Sequence, residues 1–283
     1  MNIAHDESTP WGPARNVRGG RIVFKELLRG EEKTPTNFSL VLADTDVTFK
    51  SPRHRHNFDQ IRITLEGSTN FGPRHNIEVG DVAYFPEGTA YGPQNQELVG
   101  KGSVAMVIQF GGASGNGYMS QRQLFEGQEQ MRAFGDFEGG VFRRKAAAPD
   151  GRMNQDAYEA IWEHQNGRPV EYPKPRMTEP VHFRAANLPW IEVPGQPRVQ
   201  WKELGSFTER NVRLGCLRLD AGATFSAEPQ PQEQIVFVTE GSGRFGSGET
   251  WSRYTAAHLA ANEAPSMTAD TATEALVLFL PRF

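Results

Sequence analysis

Seven residues near the start of the chain, Arg21-Ile22-Val23-Phe24-Lys25-Glu26-Leu27, return as Arg198-Val199-Gln200-Trp201-Lys202-Glu203-Leu204, 177 positions further on. Thr48-Phe49 returns as Thr224-Phe225 at an offset of 176. Gln60-Ile61, Glu66-Gly67 and Phe71-Gly72 return as Gln234-Ile235, Glu240-Gly241 and Phe245-Gly246, all at 174. An offset that shortens in small steps means that one supersecondary unit is used twice, with loop deletions in the second copy. At 283 residues the chain has room for two domains of ordinary size.

Each copy reads as β structure. In the first, apolar β-type runs cover Arg21–Leu28, Asn37–Phe49, Gln60–Glu66, Asp81–Phe85 and Ser103–Phe110, separated by turns rich in glycine and proline. The 29 glycines and 19 prolines favour many turns over long helices. From about Ala113 the pattern changes: Ser120–Phe134 and Gln155–His164 carry helical spacing, and a proline-rich run from Pro169 to Pro180 follows. Strand patterns resume near Val181 and last to Leu276–Leu280. The expected organisation is an arm at 1–20, a first barrel at 21–112, a helical and proline-rich connector at 113–179, and a second barrel at 180–283. The arm lies on a barrel surface or reaches a second subunit.

The chemistry gathers in Arg53-His54-Arg55-His56-Asn57-Phe58-Asp59-Gln60. In an extended segment His54 and His56 project to one face, and Gln60, an even step away, returns to it. Two imidazoles and an amide oxygen can bind a borderline metal. The stretch resembles the first motif of the cupin superfamily, with His54, His56, Gln60 and Gly67 at its marked places. Gly80, Pro86, Gly88, Tyr91 and Asn95 resemble the second motif, except that Tyr91 stands where the family has a third histidine. The resemblance implies an all-β fold of two jelly-roll barrels, a bicupin. It also implies a metal site at His54, His56 and Gln60 in the first barrel only, filled by a divalent transition metal: iron first, with manganese, nickel or zinc as alternatives.

The repeat supplies a control. At the aligned places His54 and His56 become Glu228 and Gln230, and Tyr91 becomes Pro265, so the second copy is expected to bind no metal and to serve packing or homodimer formation. Alternation from Gln60 sends Arg62 and Thr64 inward, where the second copy has Val236 and Val238. An inward guanidinium needs a partner, either a structural carboxylate or an anionic substrate. A ligand set without formal negative charge favours an anionic oxygen donor such as a carboxylate, enolate, phenolate or diketonate. Tyr91 is open to three roles: phenolate ligand, acid–base group or substrate donor, and pocket wall, the second being preferred.

A net charge of −4 gives no electrostatic case for nucleic acid or an anionic membrane, and no apolar run is long enough to span a bilayer. The lone Cys216 sits in an apolar strand pattern, reads as core, and fits a reducing, cytoplasmic location. No phosphate loop and no Ser/His/Asp arrangement is readable. The expected function is a metal-dependent enzyme, an oxygenase of a small oxygen-rich or aromatic compound, with Arg62 and Tyr91 as catalytic residues. The alternatives are a non-redox isomerase or lyase of a small organic acid, and a binding protein without turnover.

Overall fold

The computed structural model describes residues 1–14 and 18–283; residues 15–17 of the expected arm lie outside them. The chain divides into two compact units, Trp11–His182 and Met1–Pro10 with Phe183–Phe283. The first ten residues therefore belong with the second barrel. There Asn2–Ala4 pairs antiparallel with Ala256–Leu259, and the Met1 ammonium meets Glu263 Oε1 at 2.5 Å.

The main sheet of the first unit runs in the order Val181–Phe183, Val82–Phe85, Asp59–Gly72, Ser103–Phe110, Phe38–Thr45, Ile22–Arg29. The second unit has the corresponding order: Asn2–Ala4, Ala256–Leu259, Gln234–Glu240, Thr273–Phe279, Arg213–Leu219, Val199–Ser206, with Ile191–Glu192 added at the edge. Apart from Ile22–Arg29 beside Phe38–Thr45 and the run from Ile191–Glu192 through Val199–Ser206 to Arg213–Leu219, neighbours in each sheet are not neighbours in sequence, the crossing order of a jelly roll.

The repeat holds at single-residue register. Gln60 faces Phe85 and Gln109, while Gln234 faces Leu259 and Phe279. Ile61 faces Tyr84 and Ile108, while Ile235 faces His258 and Leu278. Even a polar pair recurs: Tyr84 donates to Asp59 at 2.8 Å, and in the second copy His258 sits 2.7 Å from Glu233. A slip of one residue would exchange the two faces of every strand, so this agreement fixes the alignment of the halves.

Residues 113–179 do more than connect. Ser120 opens the helix Gln121–Met131 with a capping box closed by Gln123, and Asp156 caps Ala157–Asn166, which ends at Gly167 with φ 65°. The two helices share a core with Phe58 of the histidine loop, together with Tyr118, Met131, Ile161 and Trp162. They belong to the first unit and help to wall its cavity. Inside the second barrel Val236 and Val238 lie in an apolar core with Leu217, Phe245, Trp251 and Val277. Cys216 is packed in its strand, and burial pushes its thiol up to about 11, which makes it unreactive.

Candidate active site

Two loops of the first barrel are joined along their backbones. His54 and Tyr91 exchange N–H···O bonds of 3.0 and 2.9 Å, and Gly88 N–H donates to His56 O at 2.8 Å. Residues of the two motifs, 37 apart in sequence, thus become immediate neighbours. His54, His56, Gln60, Arg62 and Tyr91 all line one cavity of about 150 Å³. The inward faces of Phe38–Thr45 and Ser103–Phe110 add Val41, Ala43, Thr45, Ser103, Ala105, Val107 and Gln109, and the helical segment adds Tyr118, Met119, Leu124, Phe125 and Tyr158.

A directed chain of hydrogen bonds crosses the site. The Pro52 carbonyl lies 2.8 Å from His54 Nδ1 and can only accept, so Nδ1 carries the proton and Nε2 keeps its lone pair. Tyr91 Oη, 3.1 Å away, donates to Nε2 and in turn accepts from Arg62 Nη2 at 2.9 Å. Among the described residues the His56 ring makes no hydrogen bond; it stacks on Phe58, with centroids 4.3 Å apart and planes 9° apart. Its ring centroid lies 4.9 Å from that of His54. Burial is the main reason that both imidazoles are held well below the usual histidine range. The Arg18 charge adds to this at His54, and His54 itself adds to it at His56. Both rings are therefore neutral, as metal ligation requires.

Gln60 is placed differently from its expected role. With its amide oxygen toward Arg62 it accepts from Nε at 2.7 Å and Nη2 at 2.9 Å, while its other end lies 2.6 Å from the Gln109 amide. A guanidinium cannot accept a hydrogen bond, so this orientation is the satisfied one, and with the Gln109 amide turned likewise, its oxygen toward Gln60, both ends of the Gln60 amide are engaged. The donors left beside each other are His54 Nε2, the His56 ring and Tyr91 Oη. Two neutral imidazoles and a phenol are a donor set that a metal could use, and one imidazole is oriented through its far nitrogen by a carbonyl, a common arrangement in metal sites; among the described residues no three His, Cys, Asp or Glu side chains form such a cluster.

Among the described residues no aspartate or glutamate lines the cavity. Arg18 does, and it is paired with Asp156 at 2.9 Å. Arg62 is half-buried, and among the described residues its contacts are neutral: Tyr91 Oη, the Gln60 amide, and the rings of Phe85 and Tyr91 at 4.7 and 5.4 Å. Behind the site lies a cluster that the motifs did not indicate. Buried Asp59 accepts from Glu87 N and Tyr84 Oη, each at 2.8 Å, and Glu87 accepts from Ser114. Burial pushes the Asp59 carboxyl up to about 7.

No protein-family model matches the chain, and no curated protein matches it. Solved structures do. The chain is similar over 98% of its length to a candidate dioxygenase from Nostoc punctiforme, covering 81% of that protein with 11% identity and a TM-score of 0.64. It is similar over 99% to a candidate glyoxylate-induced protein from Pseudomonas aeruginosa, covering 88% of it, with 13% identity and a TM-score of 0.62. Oxalate decarboxylase from Bacillus subtilis, a protein with Mn(II) centres, is matched over 99% of this chain and 76% of its own, at 12% identity and a TM-score of 0.59. The chain shares the two-barrel β fold of these proteins, the fold that its resemblance to the cupin superfamily leads one to expect. At these identities the likeness concerns fold, and a cupin fold hosts many reactions.

Proposed function

We propose that the first barrel is the active site of a metal-dependent enzyme acting on a small anionic, oxygen-rich compound, with oxygenase chemistry as the reaction class. The observation that carries this reading is the charge of the cavity: among the described residues, a half-buried Arg62 has only neutral partners and the lining holds no carboxylate. A guanidinium in such a place is best balanced by an anion brought in from outside.

His54 and His56 would hold the metal, with Tyr91 as the third donor in place of Gln60. Bound there, the metal would supply Lewis acidity and, if it is iron, the one-electron chemistry that dioxygen requires. The protein's own groups have separable tasks. Pro52 O fixes the His54 ring and keeps the Nε2 lone pair inward. Tyr91 Oη holds its proton against His54 Nε2, and metal binding at that nitrogen would take the lone pair and release the proton to solvent. Arg62 Nη2 stabilises the oxygen left behind and offers its charge to the substrate anion. The Tyr118, Leu124, Phe125 and Tyr158 wall limits water, which strengthens each of these interactions.

Tyr91→Phe tests the assignment. Iron content of the purified variant should fall to a small fraction of wild type, and any ligand-to-metal absorption band of the ferric protein should vanish. Full iron occupancy in Tyr91→Phe would remove Tyr91 from the donor set. Oxygen uptake by iron-loaded wild type against a panel of small carboxylates, phenolates and 1,3-diketonates tests the reaction class. Turnover of the same panel without oxygen, on zinc or nickel, would replace an oxygenase by a non-redox lyase or isomerase.

A further inference from the structure

The cavity of the first barrel is ordered in levels that the strand register fixes. Between Asp59–Gly72 and Ser103–Phe110, Gln60 stands opposite Gln109 and Arg62 opposite Val107; further along, Ser103 stands opposite Thr45. The two motif loops repeat this order, with His54 opposite Tyr91 and then Ser51 opposite Gln94. Arg62, Tyr91 and His54 meet at one level. Thr45, Ser103, Thr69 and Gln94 form a second polar level, and all four line the cavity. Gln94 Nε2 donates to Asn70 O at 2.8 Å, and the adjacent Thr69 donates to Ser103 Oγ at 3.1 Å, itself 2.9 Å from Thr45 Oγ1. Between the two levels the wall is apolar, made of Val41, Ala43, Ala105 and Val107.

Three amides stand at the far level, and two are used at both ends. Asn70 Oδ1 accepts from Asn95 N–H at 2.8 Å, and its Nδ2 donates to Gly72 O at 2.7 Å. Gln96 Oε1 accepts from Asn70 N–H at 3.2 Å, and its Nε2 donates to Lys101 O at 2.8 Å. Gln94 differs. Its Nε2 is held by a carbonyl that can only accept, so Oε1 is the remaining end. The residue is 5% exposed, and among the described residues this oxygen accepts nothing while keeping accessible surface. An acceptor so placed is matched by a donor that enters the cavity. No described lining residue is a carboxylate, so a hydroxyl suits it better than an ammonium. We infer that the compound bound here carries, beyond its anion, a hydroxyl at the far end of an apolar body, recognised by Gln94 Oε1 with the Ser103 and Thr69 hydroxyls. The inference rests on the anion site proposed above, in which Arg62 takes the other end of the molecule.

The test is calorimetry on full-length protein with a chelator present, so that a phenol gains nothing by ligating a metal. The probes are para-hydroxybenzoate and the longer para-hydroxyphenylpropanoate, each set against the compound with methyl in place of hydroxyl. At least one hydroxyl probe should bind about tenfold or more tighter than its methyl counterpart, because a site built around a hydrogen bond discriminates through it. In Gln94→Met, which keeps the side-chain length without its polar end, that ratio should fall to about one. Ser103→Ala, on another strand, should lower the ratio too. Arg62→Leu should weaken both members of a pair together and leave their ratio unchanged. A wild-type ratio near one for both pairs, or no binding of any probe, would overturn the inference. So would a ratio that survives Gln94→Met, or Ser103→Ala where the first variant does not fold. A ratio that stands while Arg62→Leu binds both probes as wild type does would instead refute the anion site and keep the hydroxyl end.

Discussion

Replacing Asp59 by asparagine should stabilise the protein at pH 8 and leave it almost unchanged at pH 4. Asp59 is fully buried, and its carboxyl titrates at about 7 in the folded protein against an ordinary 3.8, first because burial disfavours the charge. Between those values the folded state holds a proton that the unfolded chain has released. Stability therefore falls as pH rises from about 4 to about 7 and is level above that. The shift of roughly 3 pH units corresponds to about 4 kcal/mol lost by pH 8. Asparagine carries no charge, and its two ends can serve the same neighbours. Its oxygen accepts from Glu87 N–H, and its amide donates to Tyr84 Oη, whose hydroxyl turns away. The assay is urea unfolding followed by circular dichroism at pH 4.5, 6, 7 and 8, comparing midpoints. The gap between variant and wild type should open steadily with pH and reach several kcal/mol. An Asp59→Asn protein less stable than wild type at pH 8 would mean that Asp59 is ionised in the fold and that its hydrogen bonds outweigh desolvation.

Two further outcomes check the site and the fold. His54→Ala and His56→Ala should each lose bound metal on elemental analysis, whereas the double change Glu228→Ala with Gln230→Ala should leave metal content at the wild-type level. Gly67→Ala should cost more than about 2 kcal/mol in thermal or urea unfolding, since a Cβ at this φ of +76° would lie 2.1 Å from Gly102 O.

Much of the architecture was readable because duplication leaves a trace that does not depend on propensity. The shared Gln-Ile, Glu-Gly and Phe-Gly pairs lie on matched strands, and the register carries the alignment to Tyr84 and His258. His54, His56, Gln60, Arg62 and Tyr91 were brought to one cavity by alternation plus one loop-to-loop bridge. What escaped was whatever depends on strand pairing. Gln109 sits in Ser103–Phe110, where Ala105 and Val107 face the cavity and Met106 and Ile108, on the other face, are equally buried. With both faces apolar, no alternation marks Gln109 as inward. Without Gln109 the Gln60 amide looks free to bind a metal, whereas in the fold it is tied on both sides. Tyr118 and Tyr158 escaped for another reason: the helical spacing and the proline-rich run make segment 113–179 read as a connector, and it becomes a wall only when Phe58 joins its core.

The two copies differ by a few inward substitutions whose consequences are coupled. In the first, Arg62 demands acceptors, and Gln60, Gln109 and Tyr91 are arranged around that demand. Replace the arginine by valine and the neighbouring glutamine by phenylalanine, and the remaining amide loses its acceptor-seeking partner together with its opposite number. Val236, Phe279 and an orphaned Gln234 are this outcome, read from the same register. The first barrel thus keeps a guanidinium with neutral partners among the described residues, while the second has an apolar interior around one amide. Leucine in its place would remove a buried polar group that has no partner among the described residues with little change in volume, so Gln234→Leu should melt no lower than wild type.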